Sequence, residues 1–250
     1  MMITAQGKER YSRQIMIKEI GEDGQIRLAG SKVLVVGAGG LGSAVLYYLA
    51  AAGIGTIGII DDQDVELSNL QRQILHTTSR IGMPKVESAR IALQALNPEI
   101  TVVPYHLRLE KPNAKKLIEQ YDIIVTALDN EETRHLVNEN CVDMRKPLVE
   151  GGVQGFLGRL STIIPGEGPC YVCMSPIPDV RPKKNSETLF PMFSTTPGVI
   201  GVLQANEALK LLLKIGTPLV GRILFYDGLA SCFEELNVQQ VQECPCCGRS

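Results

Sequence analysis

No stretch of this chain stays apolar for the roughly 18 residues that a membrane-spanning helix needs. The opening residues, Met1-Met2-Ile3-Thr4-Ala5-Gln6-Gly7-Lys8, also lack the apolar core of a signal peptide, so a cytoplasmic protein with no membrane partner is expected. A one-sided charge is missing too. The formal net charge is -2 and the pI lies near 6.0, which offers no basic surface for nucleic acid. No internal repeat, low-complexity tract or linker interrupts the 250 residues, so one domain is expected. Histidine is scarce: His76, His106 and His135 are the only three, and none sits in a triad-like setting, a poor endowment for proton-transfer chemistry. Seven cysteines in a cytoplasmic chain argue for metal or free thiols and against a disulfide framework.

What the chain does hold is concentrated between residues 32 and 61. The segment reads Lys-Val-Leu-Val-Val-Gly-Ala-Gly-Gly-Leu-Gly, then small residues, then Gly-Thr-Ile-Gly-Ile-Ile-Asp. Residues 33–36 are continuously apolar, as in a strand covered on both faces. Gly37, Gly39 and Gly42 fit the G-x-G-x-x-G pattern. The first permits a tight turn, the second lets backbone approach a phosphate, and the third lets helix pack on strand. A helix beginning near Gly40 would aim free N–H groups and its positive dipole end at that anion. Residues 56–60 form a second strand, and Asp61 ends it about where a ribose-binding acid belongs, ~20 residues past the glycines. Strand, turn, helix and acid in register predict a nucleotide site; without that setting the glycines would be a turn that binds nothing.

Upstream, residues 9–20 read as a helix with Tyr11, Ile15 and Met16 on one side, while Arg10 and Arg13 share a face. Residues 21–24 break it, and a short helix at 25–29 completes an N-terminal arm. Past Asp61, the polar segment 62–73 allows a helix to begin after Ser68 or Asn69, both good N-caps, with Arg72 near the same face. A clearer helix spans 84–96, with Pro84 in its first turn. Lys85 at its start is unfavourable beside the positive helix end; an adjacent anion would explain it, and a solvated lysine is the alternative. A third strand (100–104), a helix (113–120) and a fourth strand (123–127) follow. Asp129 then lies at the carboxyl edge of the sheet, where open α/β folds bind ligands, and equally suits the N-cap of a helix at 131–144. A short fifth strand at 147–149 completes a doubly wound, Rossmann-like, mainly parallel α/β sheet. The remainder is an antiparallel extension: a strand at 156–164, a proline-rich stretch at 175–197, an apolar helix at 198–215 and a hairpin of 222–226 with 233–238. The proline-rich stretch is long enough to cover a site.

Cys170 and Cys173 are spaced C-x-x-C, as are Cys244 and Cys247. Two such pairs supply four thiolates for tetrahedral Zn²⁺, a structural site with no open position. The gap between the pairs excludes a local finger, so the metal would tie the C-terminus back onto the loop region. Reduced thiols or a redox pair are the alternatives. Cys246 is a rival ligand, and Cys141 and Cys232 read as buried small apolar residues.

Several strings now occur together and in order over almost the whole chain. They are Arg10-Tyr11-Ser12-Arg13-Gln14, the glycine turn, Asp61 with Ser68-Asn69-Leu70-Gln71-Arg72-Gln73, Gly82-Met83-Pro84-Lys85, Asp129-Asn130 and the cysteine pairs. This set resembles the MoeB/ThiF/HesA adenylyltransferases, relatives of the ubiquitin-activating enzyme. The resemblance implies that Gly37, Gly39, Gly40, Gly42 and Asp61 hold ATP. It implies that Asn69, Arg72 and Lys85 contact the phosphates with Gln73 nearby, that Asp129 binds Mg²⁺, and that Arg13 reaches across a homodimer into the neighbour's site. Such enzymes adenylate the C-terminal Gly-Gly carboxylate of a ubiquitin-like sulfur carrier for thiamine or molybdopterin biosynthesis. Residues 1–30 would then be the arm, 31–150 the nucleotide-binding core, and 151–250 the carrier-binding and zinc region. The chain departs from the pattern in one place. Many relatives carry a cysteine in the crossover loop for covalent chemistry, whereas here the stretch between Cys173 and Cys232 has none and the neighbourhood is Ser186-Glu187-Thr188. Adenylation alone, with sulfur delivered by another protein, is the expectation.

The residue types suit that chemistry independently. A terminal carboxylate, with a pKa of about 3.5, is already an ionised nucleophile and needs no general base. The difficulty is bringing it to polyphosphate, and Arg13, Arg72, Lys85 and a divalent ion on Asp129 meet that need. A NAD-dependent oxidoreductase would explain the glycines and Asp61, but not Arg72, Lys85, Asp129 or the cysteines. A non-catalytic scaffold subunit, or a relative acting on tRNA or a peptide, is a further alternative.

Overall fold

A computed structural model describes residues 3–174 and 191–249. The chain opens with α1 (Ala5–Arg10), α2 (Ser12–Ile15) and α3 (Gly21–Gly30), then β1 (Lys32–Val36), α4 (Gly40–Ala52) and β2 (Thr56–Ile60). After a polar connection come α5 (Lys85–Leu96), β3 (Thr101–Tyr105), α6 (Lys111–Ile118), β4 (Ile123–Thr126), α7 (Glu131–Asp143) and β5 (Leu148–Gln154). The last elements are β6 (Leu157–Ile163), α8 (Tyr171–Met174), α9 (Thr196–Leu213), β7 (Arg222–Asp227) and β8 (Cys232–Asn237).

The strands form one eight-stranded sheet in the order β3-β2-β1-β4-β5-β6-β7-β8. The first five pair in parallel and the last three join antiparallel. Strand order reverses between β1 and β4, and there a crevice opens beyond the carboxyl ends, as doubly wound sheets require. Both faces of β1 are covered, which explains its unbroken apolar run. Val33 and Val35 pack in a layer with Leu46, Leu49, Ala205 and Ala208. Leu34 and Val36 face the opposite layer, with Ile118 and Val137. Among the described residues no helix is long and apolar enough to cross a membrane.

Several elements differ from the sequence reading. The helix expected over 9–20 is broken at Tyr11, whose backbone (φ -98, ψ 12) leaves the helical basin. Its ring is buried, and its hydroxyl accepts from Asn97 Nδ2 at 2.8 Å. Met16, expected on the same side, is 75% exposed. Residues 21–24 begin α3 and do not break a helix: Gly21, at φ +59, turns the chain, and Glu22 and Asp23 then complement the helix dipole. No helix follows Ser68 and Asn69. Instead, the Asn69 side chain reaches back to the Glu66 N–H at 3.1 Å and closes a single 3-10 turn. The short fifth strand is seven residues long because β6 pairs along all of it. The proline-rich stretch at 175–197 falls largely outside the described residues, as do Ser186, Glu187 and Thr188.

Candidate active site and cysteine cluster

β1 delivers the chain into a turn that admits no side chains at two points. Gly37 has φ +106, and a Cβ there would lie 2.3 Å from the Ala127 carbonyl oxygen. A Cβ on Gly42 would lie 2.0 Å from the Gly37 carbonyl oxygen, so the helix sits directly on the turn. α4 starts immediately at Gly40, with Gly39 as its cap residue. The N–H groups of its first turn have no intrahelical acceptor and are available to an anion. Asp61 is in the register that the sequence predicts: its Oδ2 accepts the Ala38 N–H at 2.8 Å and its Oδ1 the Gln63 N–H at 2.9 Å.

Beyond the turn lies a cleft of about 540 Å³, within the ~300–1,000 Å³ of small-molecule sites. Its lining brings together Gly37, Gly39, Gly40 and Asp61 with Asn69, Arg72, Gln73 and Lys85, and with Asp129 and Asn130. Arg72, Lys85 and Asp129 therefore share one cleft with the glycine turn. Gly42 lies beneath it as a packing residue. Arg13 is exposed on α2 and is not among the residues lining the cleft.

Lys85 is the first residue of α5 and only 3% exposed. Its ammonium donates to Gln63 Oε1 at 2.6 Å, and among the described residues no carboxylate lies within ion-pair distance. Gln73 is buried, and among the described residues its Oε1 has no hydrogen-bond partner. Arg72 is held by a bond from Nη1 to the Ser68 carbonyl at 3.1 Å. The cleft lining thus carries a buried cation, a tethered cation and, among the described residues, an unused buried acceptor. A polyphosphate with its ribose and metal ion would supply what these groups lack.

Asp129 does not cap α7. That role belongs to Asn130, whose Oδ1 accepts the Thr133 N–H at 2.9 Å, leaving Asp129 exposed at the cleft with its carboxylate uncommitted among the described residues. The preceding residue is clamped by a side chain that the sequence reading missed. Arg134, 1% exposed, donates from Nη2 to the Leu128 carbonyl at 2.5 Å and from Nη1 to the Gly151 carbonyl at 2.9 Å, and it is ion-paired with buried Glu150. Its one legible signal is a place one turn beyond the α7 cap.

His76 is the second missed residue. It is buried behind the turn, with Nε2 at 2.9 Å from the Ala38 carbonyl and Nδ1 at 2.9 Å from Ser88 Oγ. Burial pushes its pKa below the ordinary histidine value. The charges of Lys85 and Arg80 act the same way, against the opposing pull of the Ala38 carbonyl and Asp61.

The Sγ atoms of Cys170, Cys173, Cys244 and Cys247 all lie within 4.8 Å of one another, and all four residues are buried. Cys170 and Cys244 are 3.7 Å apart and Cys173 and Cys247 are 3.5 Å apart, close to the ~3.8 Å edge of a tetrahedron with Zn–S arms of about 2.3 Å. The quartet fits Zn²⁺. Cys246 stands outside it and accepts from Asn138 Nδ2 at 3.2 Å, with burial pushing its thiol up to about 12. Cys141 is buried as expected, but Cys232 is exposed, because β8 is an edge strand whose six residues all face solvent. Next to the quartet, Tyr171 docks α8 onto α7. Its N–H bonds Asn138 Oδ1 at 2.9 Å and its hydroxyl donates to Glu131 at 2.8 Å.

Residues 11–246 match the ThiF family. The chain is 44% identical over 253 residues to the sulfur carrier protein adenylyltransferase of Thermus thermophilus, covering 99% of this chain and 93% of that protein. It is 43% identical over 241 residues to the SAMP-activating enzyme E1 of Haloferax volcanii, covering 96% and 88%. Among solved structures, E. coli MccB with ATP is similar at a TM-score of 0.84 and 26% identity, over 96% of this chain and 75% of that one. The likeness runs from Tyr11 to Cys246, through every element that walls the cleft, and on this ground the chain belongs to the ThiF family.

Proposed function

We propose that this protein is an ATP- and Mg²⁺-dependent adenylyltransferase. Its substrate is the C-terminal Gly-Gly carboxylate of a ubiquitin-like sulfur carrier, and pyrophosphate is released. The observation that carries this reading is Lys85. A buried ammonium costs several kcal/mol in desolvation unless an anion compensates, and its one partner among the described residues is a neutral amide. A cation kept in that state, in one cleft with a glycine turn and Arg72, supports a phosphate ligand.

The chemistry asks little of proton transfer. A carrier carboxylate oxygen bonds to the α-phosphorus as the bond from that phosphorus to the bridging oxygen breaks, and pyrophosphate departs with the electron pair. Lys85 and Arg72 offset the repulsion between two anions and stabilise charge on the departing group. Gly39, Gly40 and the first turn of α4 receive phosphate oxygens, Asp61 the ribose, and Asn69 and Gln73 complete the wall. Asp129 would hold Mg²⁺, which supplies further neutralisation at the phosphates. The cysteine quartet would hold Zn²⁺ in a structural role.

Arg13 is assigned to the neighbouring subunit's site in a homodimer. Support comes from its surroundings: Met16 and Ile17, beside it in sequence, are 75% and 48% exposed, a surface suited to burial against a partner. The unbroken sheet supports reading residues 1–250 as one domain, and four clustered thiols suited to a metal ion fit a reducing cytoplasm. With no cysteine between Cys173 and Cys232, sulfur reaches the activated carrier from another protein, in thiamine or molybdopterin biosynthesis.

ATP–pyrophosphate exchange tests the reading. Exchange should require Mg²⁺ and a carrier ending in Gly-Gly, and should vanish when the last glycine is removed. Absence of exchange with every such carrier, combined with NAD binding, would replace adenylation by the oxidoreductase alternative.

A further inference from the structure

A turn rich in glycine has many conformations open to it, and holding one of them requires restraints from outside the motif. Here the restraints converge on Ala38. Its N–H donates to Asp61 Oδ2 at 2.8 Å, and its carbonyl oxygen lies 2.9 Å from His76 Nε2. A carbonyl only accepts, so Nε2 carries the proton and Nδ1 accepts from the Ser88 hydroxyl at 2.9 Å. Ser88 is fully buried on α5, one turn beyond Lys85. One hydrogen-bonded chain therefore runs from the acid that ends β2, through the glycine turn and the imidazole, to the helix that carries the buried ammonium.

We infer that His76 is a positioning residue for the nucleotide: by gripping the Ala38 carbonyl and Ser88 together, it sets the glycine turn in register with Lys85. The ring is 5% exposed and does not line the cleft, so it does not touch the nucleotide itself. This inference rests on the adenylation reading above. A histidine that merely filled the core would make the same two bonds, but its loss would weaken the whole protein without singling out ATP.

Two variants separate the bond from the ring. His76→Phe keeps an aromatic ring and removes the donor, while His76→Gln sets an amide N–H near the place of Nε2. Binding of Mg·ATP to the full chain is measured by equilibrium dialysis, and the carrier KM is measured by pyrophosphate exchange. In His76→Phe the ATP dissociation constant should rise about tenfold, the scale of one buried hydrogen bond, with the carrier KM unchanged. His76→Gln should recover most of that loss. A folded His76→Phe protein with unaltered ATP affinity would overturn the inference. So would a carrier KM that rises as much as the ATP constant, or a glutamine variant no better than phenylalanine. Should His76→Phe not fold, Ser88→Ala decides: a weakened ATP affinity supports the inference and an unaltered one ends it. Failure of the unmodified chain to bind ATP would remove the adenylation reading itself, whereas equal binding by all variants would remove only the role of His76.

Discussion

A lysine that is 3% exposed and whose ammonium bonds, among the described residues, one neutral amide is a stability defect retained for another purpose. Lys85→Met, which fits the same volume, should leave the fold intact and raise stability by about 1 kcal/mol or more, because a desolvated charge is removed. The same change should lower pyrophosphate exchange by roughly 10²–10³-fold, the usual loss when one preorganised charge-stabilising group is removed. Urea midpoints and exchange rates on one preparation check both, and a variant that loses stability and activity in step would contradict this account. Lys85 was legible in the sequence because a cation at a helix N-terminus is an anomaly in its own right. His76 was not, since its partners are a backbone carbonyl and a serine on another element. Its environment carries a pH signature. Unfolded, the imidazole titrates near 6.5; folded, burial first, then Lys85 and Arg80, hold it lower. Between those two values the unfolded chain binds more protons, so this contribution is complete above about pH 6.5 and drains away as the pH falls toward the folded value. Urea midpoints at pH 7.5 and 5.5 should therefore drop further for the natural chain than for His76→Gln. Equal drops would assign the acid sensitivity to other groups.

The start of α7 shows how adjacent residues divide two duties that sequence alone assigns ambiguously. Asp129 and Asn130 are both good cap residues, and only the backbone decides between them: Asn130, at φ -126 and ψ 141, has the extended geometry and bonds the Thr133 N–H. Asn130→Ala should cost about 1 kcal/mol, whereas Asp129→Asn should change stability by less than about 0.5 kcal/mol. Asp129→Asn should instead raise the Mg²⁺ concentration that half-saturates exchange, measured beside thermal melts of both variants. Reversed outcomes would return the cap to Asp129 and leave the metal without its proposed ligand. Arg134, clamped to the Leu128 carbonyl, explains why a carboxylate without a partner among the described residues can sit on an exposed loop and still be held in place. Helices and strands with a local pattern were legible, the antiparallel strands β6, β7 and β8 included; breaks and extensions set by distant partners were not. Tyr11 leaves the helical course where its ring is buried and bonded to Asn97, and β5 runs on through Gly151 and Gly152 because β6 pairs with it and α9 presses Gln204 against Gly151.

Across the whole chain, the cysteine quartet ties the C-terminal segment back to the middle, bringing together residues 74 apart in sequence. That link was readable because two C-x-x-C pairs imply each other chemically whatever the distance between them, whereas the exposure of Cys232 depends on which strand ends up at the sheet edge. Four thiolates leave a zinc ion no open position, and no cysteine lines the cleft, so metal removal should be felt as stability before chemistry. The quartet anchors α8 and the C-terminal segment, and α8 in turn braces α7 through Tyr171. A loss of about 3 kcal/mol on chelation would lower Tm by roughly 6–12 °C for a chain of this size. ATP affinity measured below the new melting point should stay within about threefold, or ~0.7 kcal/mol. Metal analysis before and after chelation identifies the ion released. An unchanged Tm after complete removal would reduce the quartet to plain thiols. Lost ATP binding at an unchanged Tm would instead draw the metal into catalysis, a role that four thiolate ligands, which would leave a bound zinc ion no open position, argue against.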